Sequence, residues 1–201
     1  MRVRMMVAVM ALGACCLGTG SMIAGAQMNG GTMDMGTAAG GQVAPSKALD
    51  AMLSMFEHEM MGVANKMPAD KYDFAPSKAI FAAGQTPKFE TVRTFGEQLK
   101  HVAEANFAFY GMVSGMQPSM DRKSIEAMTK KEDIVNALAA SFAFGHKAIA
   151  TITPENAFAA IKGADGMHTR ATLAAFAVAH GNDHYGQLVE YLRMNGMTPG
   201  M

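Results

Sequence analysis

Apolar side chains recur at steps of three and four residues through four long segments of the chain, a spacing typical of one face of an α-helix. The segments cover residues 46–66, 89–113, 129–152 and 169–195. Serine or threonine opens the first, third and fourth segments, and these hydroxyls can satisfy free amides at a helix start. The third start also has the Thr129-Lys-Lys-Glu132 pattern of a capping box. We therefore predict four long helices.

Two long connections separate the predicted helices. Residues 68–89 are interrupted by Pro68, Pro76, Gly84 and Pro87, and residues 154–166 form the second connection, with a short helical turn compatible with residues 155–161. No stretch alternates apolar and polar residues convincingly enough to predict a strand. The expected fold is therefore all-α, a four-helix bundle over residues 46–199.

Three histidines fall on the apolar faces of these helices. His180 and His184 are four residues apart in the last helix, where side chains are neighbours with Cβ atoms roughly 5–6 Å apart. His101 lies between apolar positions on the inner side of the second helix. Three imidazoles in one core would each need a partner without a shared ion. The spacing predicts a metal site formed by His101, His180 and His184.

The sequence around the last two histidines carries a longer motif. Residues 180–199 follow the pattern HxxxHxGQLxxYLRxxGxxP, which resembles the last core helix of the DinB/YfiT-like family of four-helix metalloproteins. A third histidine in the second helix of that family matches His101 here. The resemblance covers about residues 46–199 and implies a bundle with long connections between helices 1 and 2 and between helices 3 and 4. Members of the family include thiol-dependent transferases and isomerases.

The N-terminal segment is predicted to be an export signal of a bacterial protein. Two arginines precede an apolar run that ends in the small residues Ala24-Gly-Ala26, so cleavage is expected after residue 26. A flexible Gly- and Met-rich leader would then cover residues 27–45. The protein would be periplasmic or secreted, without stable membrane insertion after cleavage. Alternatively, Leu12-Gly-Ala-Cys15 resembles a lipoprotein box, which would anchor the chain through Cys15.

Charge and cysteine usage exclude several functions of the cleaved chain. Loss of Arg2 and Arg4 lowers the basic count from 17 to 15 while the 17 acidic residues stay, leaving a net charge of about −2. A nucleic-acid partner is therefore not expected. Both cysteines, Cys15 and Cys16, lie in the signal, so the mature chain would have no disulfide, thiolate ligand or cysteine nucleophile.

Two functional hypotheses remain. Three neutral imidazoles leave an open position on zinc or nickel, where a water or a thiol would have a lowered pKa. The protein would then be a metal-dependent hydrolase or thiol-dependent transferase with a small-molecule substrate. Alternatively, it is a non-catalytic metal-binding or structural protein of the cell envelope; in either case a homodimer is left open. The acids beside His101, Glu97 and Glu104, do not decide, because either can be a solvated surface group.

The remaining polar candidates have lesser roles in this interpretation. His58, His146 and His168 are expected to be surface or capping residues, although His58 could face the mouth of the site. Asn182 and Asp183 should point away from the metal face, and Gln187 could line the site or orient a ligand.

Overall fold

The computed structural model describes residues 40–77, 82–85 and 92–199. Within these residues the structure is mostly helical, with one short β-hairpin. The elements are α1 (Pro45–Lys66), a 3-10 turn (Ala69–Lys71), α2 (Phe95–Ser114), α3 (Arg122–Glu126), α4 (Lys131–Ile149), β1 (Ala160–Ala164), β2 (Met167–Thr169) and α5 (Arg170–Met194). The all-α prediction is confirmed: α1, α2, α4 and α5 are the four long helices that the apolar pattern predicts.

The four long helices share one apolar core. Helices α1 and α2 each pack against both α4 and α5, so α1 lies diagonally across the bundle from α2. All four helices contribute large buried side chains, among them Phe56 from α1, Tyr110 from α2, Phe142 from α4 and Leu173 from α5. Removing this apolar surface from water is the main contribution that favours the folded bundle.

A glycine in α5 sets how closely that helix approaches α1. Gly181 is buried, and a Cβ atom added there would lie 2.1 Å from Cζ of Phe56. The helices can meet at this distance only because glycine has no side chain. Since Gly181 lies between His180 and His184, the same contact positions both histidines within the bundle.

Three helices, α1, α2 and α4, start differently from the prediction. Helix α1 begins at Pro45 with no side-chain cap, so Ser46 lies inside the helix and does not cap it. Helix α2 begins at Phe95, after a capping box formed by Thr94 and Glu97, and not at residue 89 or 90. That polar pair satisfies two backbone amides at the helix start.

The third predicted helix also starts and ends differently. The prediction of a capping box at residues 129–132 is wrong, because Lys130 is the N-cap residue of α4 and its side chain makes no capping hydrogen bond. The ammonium of Lys131 instead donates to the carbonyl oxygens of Asn65 and Met67, at 2.8 and 2.7 Å. This contact ties the start of α4 to the C-terminal end of α1, where carbonyl groups lack helical partners. The helix ends at Ile149, three residues before the expected end.

A β-hairpin replaces part of the second predicted connection. Strands β1 and β2 pair antiparallel, with Ala164 opposite Met167. Asp165 and Gly166 form the two-residue turn and have φ angles of 50° and 81°. Both positions have left-handed backbone, as a tight hairpin turn requires, and Asp-Gly is a sequence that favours it. The expectation of no strand was therefore wrong, and the Asp-Gly pair was the available signal. A hydrogen-bonded turn, from the amide of Ala157 to the carbonyl of Thr153, does lie where a short helical turn was expected, but it stops before β1.

The last helix agrees closely with the prediction. Thr169 caps α5 by accepting a hydrogen bond from the amide of Thr172, and the helix ends at Met194, directly before Asn195. The hairpin packs against α2 and α5, the two helices that carry the three candidate histidines.

The predicted export signal, residues 1–26, lies outside the described residues, as does the leader as far as residue 39. The exposed residues 40–44 lead directly into α1. None of the helices in the described part of the chain is both long and apolar enough to cross a membrane.

Candidate metal centre

Helices α2 and α5 bring the three predicted histidines together. His101 comes from α2, and His180 and His184 come from successive turns of α5. One ring nitrogen from each lies within 4.8 Å of the other two. Nitrogens bound to one tetrahedral ion at ~2.0–2.1 Å would be about 3.4 Å apart, so small side-chain rotations suffice. The three residues thus form a group that can hold a metal ion.

A chain of hydrogen bonds orients the most buried of these rings. Nδ1 of His184 donates to Oε1 of Gln98 at 2.8 Å, and Nε2 of Gln98 donates to Oε1 of Gln187 at 2.6 Å. Gln187 in turn donates to the carboxylate of Asp183 at 3.0 Å. The proton of His184 is therefore on Nδ1, and the lone pair of Nε2 is available as a metal ligand.

His180 supplies a nitrogen that lacks a protein partner. Its Nε2 atom is buried and makes no hydrogen bond to any described residue. The rings of Phe109 and Phe176 lie nearby, with centroids 5.6 and 6.1 Å from that of His180. A buried polar atom without a partner costs free energy. A metal ion bound to Nε2 would remove this cost, so the residues present fit a bound ion.

The surroundings keep the three imidazoles neutral. Burial, with the positive charge of Arg93 and of neighbouring histidines, lowers the pKa of His101 to about 4. Burial and the neighbouring His180 lower the pKa of His184 to about 4. Burial also lowers the pKa of His180, against the opposing charge of nearby aspartates. Neutral imidazole is the form that binds metals, so no proton has to leave at neutral pH.

Two adjoining cavities open beside the histidines. Their volumes are about 490 and 410 Å³, and both are lined by Arg93, His101, Glu104 and Arg122. The larger one also reaches His180. Cavities of this size admit small molecules. Substrate-sized space therefore adjoins two of the three candidate ligands.

The two acidic residues that flank His101 in the sequence have different roles in the structure. Glu97 belongs to the capping box of α2, where it accepts from the amide of Thr94, and this hydrogen bond lowers its pKa. The Glu104 side chain is only 13% exposed and lies 3.5 Å from the guanidinium of Arg122. Burial raises the pKa of Glu104 despite that positive charge. Glu97 is thus a helix cap, whereas Glu104 is the carboxyl group that lines both cavities.

The other histidines lie outside the cluster. His58 is exposed on α1 and lines a shallow surface pocket with Glu57 and Met61, and His168 is exposed in β2. His146 is half-buried and contacts two carboxylates, Oδ1 of Asp50 at 2.6 Å and Oε2 of Glu57 at 2.9 Å. His146 thus lies outside the cluster as a partly exposed residue, and its ion pairs link α4 to α1.

Several residues near the site were not identified from the sequence. Gln98 is a buried residue three positions before His101, and this polar break in an apolar stripe was the available signal. Arg93 and Asp165 come from loops, and they reach the larger cavity only through the tertiary fold. Gln187, in contrast, was expected to line the site or to orient a ligand, and hydrogen bonds link it to His184 through Gln98.

Comparisons with known proteins agree with this architecture. The fold is similar to that of a protein from Exiguobacterium sibiricum assigned to the DinB family, with a TM-score of 0.56 and 16% identity. The similarity covers 80% of this chain and 98% of that chain, and at this identity it shows the fold alone. No curated protein matches the chain. The family model of the DinB superfamily matches residues 35–188, including all three histidines, and the chain therefore belongs to the DinB superfamily.

Proposed function

We propose that this protein is an exported metal-dependent enzyme, a hydrolase or a thiol-dependent transferase, with His101, His180 and His184 as the metal ligands. The observation that carries the proposal is the buried, partnerless Nε2 of His180 beside a cavity of about 490 Å³. Structural metal sites are closed by protein ligands, whereas catalytic sites keep one position open to a substrate. A three-ligand site beside a cavity fits the second class.

The donor set favours zinc or nickel. Three neutral imidazoles suit borderline divalent ions and leave no negative charge from the protein on the ion. Such an ion acts as a Lewis acid and lowers the pKa of a water or thiol at its open position. Gln98 supports this role by holding the His184 ring in the tautomer that presents Nε2.

Glu104 is the group of this chain best placed to exchange a proton with a bound small molecule. Its carboxyl lies in both cavities with His101, and its raised pKa brings it closer to the working range of a general acid or base. Arg122, at 3.5 Å, holds the carboxyl on this side of α2. This pair favours the enzyme over a protein that only binds metal.

The source of any thiol follows from the proposed export. After cleavage behind Ala26 the mature chain would contain no cysteine, so a reacting thiol would come from a small molecule. Intact-mass measurement on protein from its native host tests the processing. A mass that starts at residue 27 supports it, whereas retention of residues 1–26 or a lipid on Cys15 contradicts it.

The function itself is tested by metal analysis followed by substrate screens. Purified protein should contain zinc or nickel, and its turnover of esters, amides or thiol-transfer substrates should stop on chelation and return with metal. Glu104→Gln should lower turnover at unchanged metal content. The matched control is Glu126→Gln, because Glu126 also bonds Arg122 but lines only the smaller cavity, which does not reach His180. A metal-loaded protein inactive in every screen would support the non-catalytic envelope protein instead.

A further inference from the structure

We propose that the site accepts substrates with a single anionic group on an apolar body, and that Arg93 binds the anionic group. This inference rests on the proposed function and names the substrate class for the same site. It follows from how the charged side chains around the larger cavity are already paired, and from which side chains form its apolar wall.

Most charges around the cavity have partners within the protein. Asp121 caps α3 by accepting from the amide of Ser124 at 2.9 Å. Arg122 contacts Glu126 at 2.7 Å and Glu104 at 3.5 Å. These groups already interact with one another or with the start of α3, so they are less free than Arg93 to pair with a ligand.

Arg93 differs from these residues because it makes no ion pair with any described residue, although it lines both cavities. Its positive charge lowers the pKa of all three clustered histidines. Its backbone is fixed by the hydroxyl of Tyr191, which donates to the Arg93 carbonyl at 3.1 Å. The exposed guanidinium of Arg93 lines both cavities beside the candidate metal ligands, and it can form two parallel hydrogen bonds with a carboxylate.

One acid limits the charge that the cavity can accept. Asp165, in the hairpin turn, lines the cavity on the His180 side, where its charge favours the protonated form of that histidine. A second anionic group on the substrate would approach this carboxylate and be repelled. The arrangement therefore favours one anionic group over two.

The rest of the larger cavity suits an apolar body. Phe107, Phe109 and Ile125 form a buried part of its wall, and Pro118 and Met120 continue that wall toward the surface. Apolar surface of a ligand that is removed from water against this wall favours binding. The wall and Arg93 together select amphiphilic monoanions such as aryl-alkyl carboxylates.

Isothermal titration calorimetry on the full protein, metal-loaded and metal-free, tests this inference. The probes are 4-phenylbutyrate, which has both features, 4-phenylbutanol, which lacks the charge, and acetate, which lacks the apolar body. We expect 4-phenylbutyrate to bind at least about tenfold more tightly than either other probe, as a charge-assisted hydrogen bond allows. Arg93→Gln should remove most of this preference and leave 4-phenylbutanol binding unchanged.

Arg193→Gln is the matched control, because Arg193 pairs with Glu190 and lines neither cavity. Equal binding of the acid and the alcohol, no binding of any probe, or an Arg93→Gln protein with unchanged preference would overturn the inference. Failure of the protein to take up metal would instead contradict the proposed function. The effect of Arg93→Gln in the metal-free protein would still decide the inference in that case.

Discussion

The three clustered histidines and His146 lie in the same bundle, yet their surroundings give the imidazole ring opposite properties. In the cluster, burial and positive neighbours lower the pKa values, and Nε2 of His180 has no partner. At His146, burial acts in the same direction, but hydrogen bonds to the carboxylates of Asp50 and Glu57, together with their negative charge, outweigh it and raise the pKa. The cluster is thus suited to a metal ion, and His146 to an ion-paired cation.

The difference shows that the partners of a histidine decide its role, and that sequence position alone does not. His146 is bonded on both ring nitrogens by residues of another helix, 96 and 89 positions away in the chain. His184 uses only Nδ1 in this way. A ring with one nitrogen bonded and one free can bind a metal, whereas a ring with both bonded serves as a structural link.

The largest expected effect is on metal content. His180→Ala should reduce bound zinc or nickel from stoichiometric to a small fraction, because two imidazoles hold a borderline ion much less tightly than three. His146→Ala should retain the full amount. Elemental analysis of both purified variants beside the wild type measures this. Equal metal in His180→Ala and wild type would remove the basis for the comparison.

The second effect concerns the residues that orient the cluster. Gln98→Leu removes the acceptor of the His184 Nδ1 proton, so metal affinity should fall roughly 10–100-fold. Gln187→Leu acts one hydrogen bond further away and should have a smaller effect. Competition with a chromophoric chelator gives both affinities. The hydrogen-bond chain has no role in metal binding if neither variant differs from wild type.

How far the sequence could predict this site depends on which contacts are local. The helices follow from apolar spacing because each buries one face, and the triad follows from HxxxH plus one inward-facing histidine. The two strands of the hairpin are too short for an alternation of apolar and polar residues to be recognised in the sequence. Only Asp165-Gly166 indicates the turn between them. The roles of Gln98, Arg93 and the partners of His146 come from contacts between segments that are far apart in the chain. The spacing of residues within one helix does not predict such contacts.

The third effect is the acid sensitivity of the metal-free protein. His101 and His184 have native pKa values of about 4, below the unfolded value of about 6.5. Between these values the unfolded chain binds more protons, so stability should fall as the pH drops from about 6.5 toward 4. Denaturant unfolding across this range measures it, with His184→Gln expected to show a shallower decline. An equal decline in the two proteins would contradict neutral, buried imidazoles.

The smallest expected effect has the opposite sign with pH and belongs to His146. Its native pKa is raised, so its ion pairs stabilise the fold below the unfolded value of about 6.5, and this contribution is lost as the pH rises through the native pKa. The side chains are partly exposed, which limits the contribution to about 1 kcal/mol. His146→Gln should therefore destabilise the protein by about that much at acidic pH and by less at alkaline pH. Denaturant unfolding at the two pH values measures the difference, with Lys147→Gln, at the exposed neighbouring position, as the control. A loss independent of pH would mean that His146 links α4 to α1 as a neutral ring, and the contrast with the cluster would then rest on geometry alone.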